Sequence, residues 1–300
     1  MEKPTTESFE GGNPRPSEEL LFEEEKRVIE AVSNCDIIKE PREWNPEELE
    51  NALKKAIEEA GEQALKENNG IIYTTLSGGI DSSLCTAILR RILPAETRIE
   101  TFSMGGNKNH PDLHFASMIA QKLQTEHHEF IPTMEQINRA RSEFSELGEV
   151  EARGKYFGSG ELDVFLLYKL IHEKITEESG SSPASVIAHD GIDELMGGYW
   201  GHRGTKTHGE KTDAFIKFWQ ELPKKHLENL SRSAALMRIK IIWPYLNPLL
   251  IEYISHIPID DRTSKPESKM PLRSIARKYL PQEIIERRKR GQVGMLDTEV

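Results

Sequence analysis

The sequence predicts an α/β protein, a doubly wound parallel sheet followed by a helical C-terminal part. Three observations carry this expectation. Short apolar runs rich in β-branched and aromatic residues alternate with stretches of helical period. The first clear run, Ile71–Leu76, enters a Ser-Gly-Gly turn and then the amphipathic stretch Leu84–Leu93. A later run, Ser185–Ala188, leads directly into the acidic sequence His189–Glu194. Strands separated by helices in this rhythm build parallel sheets, and such sheets bind ligands at the carboxyl ends of their strands. Ser77–Asp81 and His189–Asp193 both fall at strand carboxyl ends, so they can face one cleft.

The elements follow in order. Residues Met1 to about Pro41 are acidic and punctuated by Pro and Gly, and Met1–Pro16 is expected to be disordered. Leu20–Val32 has helical character with little to anchor it. Trp44-Asn45-Pro46 announces a helix over Glu47–Lys66, with Leu49, Leu53, Ile57 and Leu65 on one side. After the first strand and its helix comes a second βα unit, Arg98–Met104 and Asp112–Leu123. Glu126–Ile131 reads as a third strand, Glu161–Ile175 as a helix and Ser185–Ala188 as a fourth strand. Trp200–Thr212 is glycine-rich and charged, as a mobile loop would be. Helical segments are then expected over Phe215–Glu221, Pro223–Leu236, Pro248–His256, Pro271–Leu280 and Pro281–Lys289.

Composition excludes several classes. Charges interrupt every apolar run before it reaches the length of a membrane span. The start, MEKPTTESFEGG, lacks the basic and apolar regions of a secretory signal. Two cysteines, Cys35 and Cys85, make no disulfide framework and suit a reducing cytoplasm. A formal net charge of −11 is a poor platform for a nucleic-acid backbone. Neither a membrane nor a nucleic acid is therefore expected as a partner. Basic residues do gather near the C-terminus, at Arg273, Arg277, Lys278 and Arg287 to Arg290.

The chemistry concentrates in two motifs. In Ser77-Gly78-Gly79-Ile80-Asp81-Ser82-Ser83, glycines let backbone approach a ligand closely, and free N–H groups at a helix start favour an anion. Ser77, Ser82 and Ser83 add hydroxyl donors. No Lys follows Gly79, so this is not the common kinase and GTPase loop. A carboxylate beside a phosphate is repulsive without a cation between them, so Asp81 suggests Mg²⁺. The second motif, HDGIDELMGGYW, crowds Asp190, Asp193 and Glu194 at one strand end. Such crowding is unfavourable without a cation or a raised pKa, although acidic residues also suit a helix start. The pairs His110/His114 and His127/His128 lack a convincing third zinc ligand and read as structural or surface histidines.

SGGIDSS resembles the PP-loop of the ATP pyrophosphatases, which cut ATP between the α and β phosphates. D-G-x-D-E-x-x-G-G-Y narrows the likeness to the branch of asparagine synthetase and β-lactam synthetase. Phe102–Gly105, Glu126–Glu129 and Met237–Asn247 are similar to further family segments, and Lys269–Gly291 resembles its C-terminal helices and lysine loop. The resemblance runs from about Trp44 to the C-terminus. It implies an adenine nucleotide α-hydrolase-like fold. The division would be an acidic segment over 1–43, an ATP-binding core over 44–212 and a helical part with the lysine loop over 213–300. By matched position, Ser77, Gly78, Gly79, Asp81, Ser82 and Ser83 would hold the phosphates of ATP, and Leu76, Met104 and Ala188 would contact the nucleoside. Asp81 and Asp193 would ligate Mg²⁺, Asp190 would serve as base and Lys289 would neutralise the α-phosphate and leaving pyrophosphate.

The implied activity is an ATP-dependent ligase that joins a small carboxylate to ammonia or an amine through an acyl-adenylate, releasing AMP and pyrophosphate. Residue 2 is Glu rather than Cys, and only some seventy residues precede the first strand, so the family's N-terminal glutaminase domain is not expected. Nitrogen would come as free ammonia, as an amine, or from a separate glutaminase subunit, and a homodimer is compatible. Asp190 stands where asparagine synthetase has Glu. Tyr245 and Asn247 replace Phe and Asp in the family's P-F-L-D, and Ile239-Lys240 finds no explanation in the sequence. Two rival readings follow from the same residues: a PP-loop enzyme of tRNA or sulfur transfer, and a non-catalytic nucleotide-binding subunit of an amidotransferase.

Overall fold

A computed structural model describes residues 21–146, 160–180 and 183–287. The expected disorder of Met1–Pro16 and the lysine at 289 lie outside these residues. Five parallel strands form one sheet: β1 (Ile71–Thr75), β2 (Arg98–Met104), β3 (Glu126–Phe130), β4 (Ala184–Ile187) and β5 (Ile239–Ile242). Their order is β3-β2-β1-β4-β5. The helices are α1 (Glu23–Ser33), α2 (Pro46–Glu67), α3 (Ile80–Ile92), α4 (Pro111–Leu123), α5 (Met134–Glu146) and α6 (Gly160–Ser179). They continue as α7 (Ile192–Met196), α8 (Trp200–Arg203), α9 (His208–Leu222) and α10 (Glu228–Leu236). Last come α11 (Pro248–Ser255), α12 (Ile259–Arg262), α13 (Met270–Ala276) and α14 (Gln282–Glu286).

The topology follows from the crossovers. From β1 the chain steps outward through α3 to β2 and through α4 to β3. It then returns past β1 to β4 and continues to β5. Right-handed crossovers in opposite directions place helices on opposite faces. Accordingly α2, α3 and α4 pack in a row on one face, while α6 packs with α10 on the other. The order reverses between β1 and β4, whose register pairs Tyr73 with Val186 and Thr74 with Ile187. That reversal opens a crevice at the carboxyl ends of these two strands. The core is continuous through Ile72, Phe102, Val186, Ile187, Leu84 and Ile88, all buried.

Most expected elements stand within a few residues of their sequence bounds, and α2 starts as expected. Asn45 accepts the Glu48 N–H at 2.8 Å, and Pro46 takes the first helical position. Four segments differ. Trp200–Thr212 is no open loop: it carries α8 and the start of α9, whose Thr207 and Glu210 form a capping box. Helix α5, the short helix α12 and strand β5 are not apparent from the pattern. Strand β5 has only four residues, IKII, so periodicity has nothing to count. It is the reason for Ile239-Lys240: the isoleucines are buried, and Lys240 reaches Glu67 at the edge of the sheet.

The same strand anchors α1, which the sequence left unanchored. Ile29 and Val32 are buried, and Glu25 Oε1 accepts the Ile241 N–H at 2.7 Å. Burial holds the Glu25 carboxyl up at about 7, despite that hydrogen bond. The folded protein therefore binds a proton that the unfolded chain releases above its ordinary 4.5. Stability should fall as pH rises from about 4.5 to about 7 through this group. Glu25→Gln should remove that part of the slope, about 3 kcal/mol between the two ends. Urea unfolding of both proteins across that range checks it.

Candidate active site

A cavity of about 470 Å³ opens at the β1/β4 crevice. Leu76, Ser77, Gly79, Asp81, Ser82, Met104, Ala188, Asp190 and Asp193 line it, so the two motifs share one site. Gly78 and Ser83 do not line it. Gly78 adopts φ +65°, and a Cβ there would lie 2.5 Å from the Ala116 nitrogen, so the turn packs flush on α4. Ser83 is fully buried beneath the loop. Lys289 lies outside the described residues.

The loop after β1 is shaped by its own hydroxyls. Ser82 Oγ accepts the Ser77 N–H at 3.1 Å and lies 3.1 Å from Ser77 Oγ. Gly79, in extended conformation, precedes α3 with no side chain capping the helix. The first turn of α3 thus has no side-chain cap where Ile80, Asp81 and Ser82 line the cavity, the arrangement that an anion site requires. Two residues from the C-terminal part brace the loop. Tyr245 Oη donates to the Asp81 carbonyl at 2.8 Å. Arg287 donates to the Ser77 carbonyl at 2.8 Å, pairs with Asp112 and lies 4.5 Å from the centre of the Phe115 ring.

The carboxylates are held differently. Lys269 Nζ lies 2.5 Å from Asp81 Oδ2 and 2.7 Å from Asp193 Oδ1, bridging the two motifs. Burial pushes the Lys269 ammonium pKa down, but Asp193 and Asp81 outweigh it and hold it above the ordinary value. Asp190 is engaged on both oxygens: His226 Nε2 is 2.6 Å from Oδ1, and Trp243 Nε1 donates to Oδ2 at 3.2 Å. Burial would raise the Asp190 pKa, yet the His226 charge keeps it below the usual carboxylate value. Burial likewise opposes the His226 charge, and Asp190 overcomes it, holding the imidazole at about 9. His189 is opposite in character: burial pushes it down to about 4, so a neutral ring lies beside the Thr74 and Thr75 hydroxyls. Burial, then the Asp193 charge, raises Glu194, whose Oε1 accepts the Tyr199 hydroxyl at 2.7 Å.

Asp81 and Asp193 suit a hard divalent cation. Both present anionic oxygens to one point, and Asp81 Oδ1 is buried with no hydrogen bond. The histidine pairs lie elsewhere. His110 caps α4, and His127 meets the Thr101 hydroxyl at 2.8 Å. His128 joins Glu100, Glu126 and Glu178, three carboxylates that Arg98 already bridges.

Sequence reasoning missed Lys269, His226, Trp243 and the loop contacts of Tyr245 and Arg287. Lys269 and Arg287 lay within the segment of family likeness, but no spacing marks a residue that reaches the site from so far along the chain. Two departures have structural reasons. Tyr245 carries the hydroxyl that braces the loop. Asn247 accepts the Leu249 N–H at 3.0 Å and so caps α11, a role in which Asn and Asp serve alike.

Fold and site together define a doubly wound α/β protein with an acidic, cation-bridged pocket at its topological switch point. The chain belongs to the asparagine synthase family, whose model matches residues 52–216 and 204–298. It is 25% identical over 235 residues to a glutamine-hydrolyzing asparagine synthetase of Gallus gallus, covering 77% of this chain and 40% of that protein. A putative glutamine-hydrolyzing asparagine synthetase of Methanocaldococcus jannaschii is 23% identical over 205 residues, covering 68% of this chain and 36% of that one. The chain thus spans well under half the length of these relatives. A solved NAD+ synthetase from Burkholderia pseudomallei aligns with 85% of this chain and 93% of its own, at 12% identity and a TM-score of 0.33. Among the described residues no helix is long and apolar enough to cross a membrane.

Tyr245→Phe should keep the fold and lower stability by about 1 kcal/mol through the lost hydrogen bond to the loop. Denaturant unfolding at fixed pH measures it. An unchanged midpoint would mean that the hydroxyl does not brace the loop.

Proposed function

We propose that this chain is an ATP-dependent ligase that activates a carboxylate as an acyl-adenylate and transfers it to ammonia or an amine, releasing AMP and pyrophosphate. The observation that carries this reading is the meeting of Asp81 and Asp193 on one cation at the mouth of the serine–glycine loop. Family membership supports the same class of chemistry.

The residues divide the work. Ser77, Gly79 and Ser82, with the start of α3, bind the phosphates, and Gly78 and Ser83 keep the loop seated on its neighbours. Leu76, Met104 and Ala188 form the wall for the nucleoside. Asp81 and Asp193 would hold Mg²⁺, which when bound supplies positive charge to the phosphates and the leaving pyrophosphate. Lys289 follows Arg287 by two residues and is assigned to the α-phosphate as a second cation. Val164, Leu167, Tyr168 and Leu230 line the cavity along with Asp190 and His226, leaving a half-apolar recess for the carboxylate substrate.

Asp190 departs from the role of a free base. Its pairing with His226 keeps it ionised and weakly basic. Each carboxylate oxygen retains one further acceptor site, so Asp190 is better suited to orient the incoming amine through its N–H groups. Ammonia supplied free or by a separate glutaminase subunit would both satisfy this arrangement.

The test supplies ATP, Mg²⁺ and ammonium with a panel of amino acids and small carboxylates that includes aspartate. AMP and pyrophosphate should form with at least one member, and ADP with phosphate would overturn the assignment. Asp81→Ala should lower turnover at least about 100-fold. Asp190→Asn should leave carboxylate-dependent pyrophosphate exchange within about threefold and slow amide formation about 100-fold, because it acts only on the amine. Equal loss in both half-reactions would remove Asp190 from the amine step.

A further inference from the structure

Two carboxylates assigned to a metal ion are already bridged by a cation of the chain itself. Lys269 Nζ stands 2.5 Å from Asp81 Oδ2 and 2.7 Å from Asp193 Oδ1, so the two oxygens lie within about 5 Å of each other. Oxygens bound opposite each other on a small divalent ion lie about 4 Å apart. The ammonium therefore occupies the place that such an ion would take.

The arrangement is held in place by its surroundings. Lys269 is 1% exposed. Its backbone is left-handed, φ 53° and ψ 44°, a conformation that costs a side-chain-bearing residue about 1 kcal/mol. Gly198 leaves room for the pair: a Cβ there would stand 1.6 Å from Asp193 Oδ1 and 2.7 Å from Lys269 Cε. The backbone thus closes over the ion pair on that side, and the open direction is the cavity, which Lys269 lines.

We propose that Lys269 is a positioning residue that keeps the two-aspartate site closed to free divalent cations until nucleotide arrives. This rests on Asp81 and Asp193 being the metal ligands named above. The charge balance gives the reason. Two carboxylates and one ammonium leave a single negative charge, and a divalent ion added to them meets the ammonium at close range. A triphosphate brings enough negative charge to hold both cations, so the ammonium turns from the carboxylates to the phosphates as the metal–nucleotide complex enters. Metal and nucleotide then bind as one unit. No bond is made or broken in the exchange.

The probe is Mn²⁺, with free ion followed by electron paramagnetic resonance on the full chain, with and without an ATP analogue carrying a methylene between the α and β phosphorus atoms. After subtraction of the Mn²⁺ held by the analogue alone, the wild-type protein should bind Mn²⁺ at least about tenfold more tightly with the analogue than without it. Lys269→Met should bind Mn²⁺ alone at least about tenfold more tightly than the wild type, and adding Asp193→Asn should abolish the gain. Nucleotide-free binding to the wild type that is as tight as binding with the analogue, and is lost in Asp193→Asn, overturns the proposal. So does a folded Lys269→Met that gains nothing. Should Lys269→Met fail to fold, Lys269→Gln takes its place in the same comparison, and a folded Lys269→Gln that gains nothing overturns the proposal equally. The ligase reading fails separately, by the absence of AMP and pyrophosphate. A wild type that binds no Mn²⁺ even with nucleotide removes the metal ligands and the inference together.

Discussion

One buried ammonium joins the two halves of the site. The helix starts that follow β1 and β4 each place an aspartate at the crevice, and like charges so close would repel without a cation. Lys269 supplies that cation from the start of α13, far along the chain. Removing one member of a buried charge cluster leaves the others unpaired, typically a matter of several kcal/mol. The C-terminal helices are therefore part of the site rather than an appendage to it.

Bracing from the same region extends this dependence. Tyr245 holds the carbonyl of Asp81, and Arg287 holds the carbonyl of Ser77 while pairing with Asp112 on α4. A glycine-rich loop has few side chains with which to fix itself. Its conformation is set by hydrogen bonds from outside and by close packing on Ala116. The bracing from outside uses the loop's carbonyls, while its Ser77 and Gly79 N–H groups bond to the Ser82 and Ser77 hydroxyls within the loop. On the opposite wall His226 and Trp243 fix Asp190 in one orientation, from a π-helical turn at Pro223–Leu227 and from the residue after β5. Four of the cavity's acidic groups, Asp81, Asp112, Asp190 and Asp193, are thus each tied to a named partner, and each partner comes from after residue 212.

The legible part of the fold is the part governed by local rules. β1 with its Ser-Gly-Gly turn, β2 and β4 could be read because apolar runs of strand length bounded by turn residues are informative by themselves. The acidic motif could be read as a site because three carboxylates at one strand end have few structural uses. Elsewhere length or composition hides the element. IKII is too short to show a period, so neither β5 nor the partner that Glu25 of α1 finds at Ile241 is visible in the pattern. Gly201, Gly204 and Gly209 made Trp200–Thr212 look like a loop, but α8 and α9 form there because capping by Thr207 and packing of Phe215 outweigh glycine's modest helix penalty.

The sequence by itself determined the sheet class, the two strand-end motifs and the likeness that runs through most of the chain, because each rests on neighbours within a few residues. Only the tertiary structure decided what stands between the motifs. Lys269 is separated from Asp81 by 188 positions, and the pairing exists because the sheet order reverses between β1 and β4 and α13 packs against the crevice so formed. Nor could sequence show that Asp190 is pinned by His226. An ion pair across a fold depends on distance in space, and local pattern carries no information about that distance.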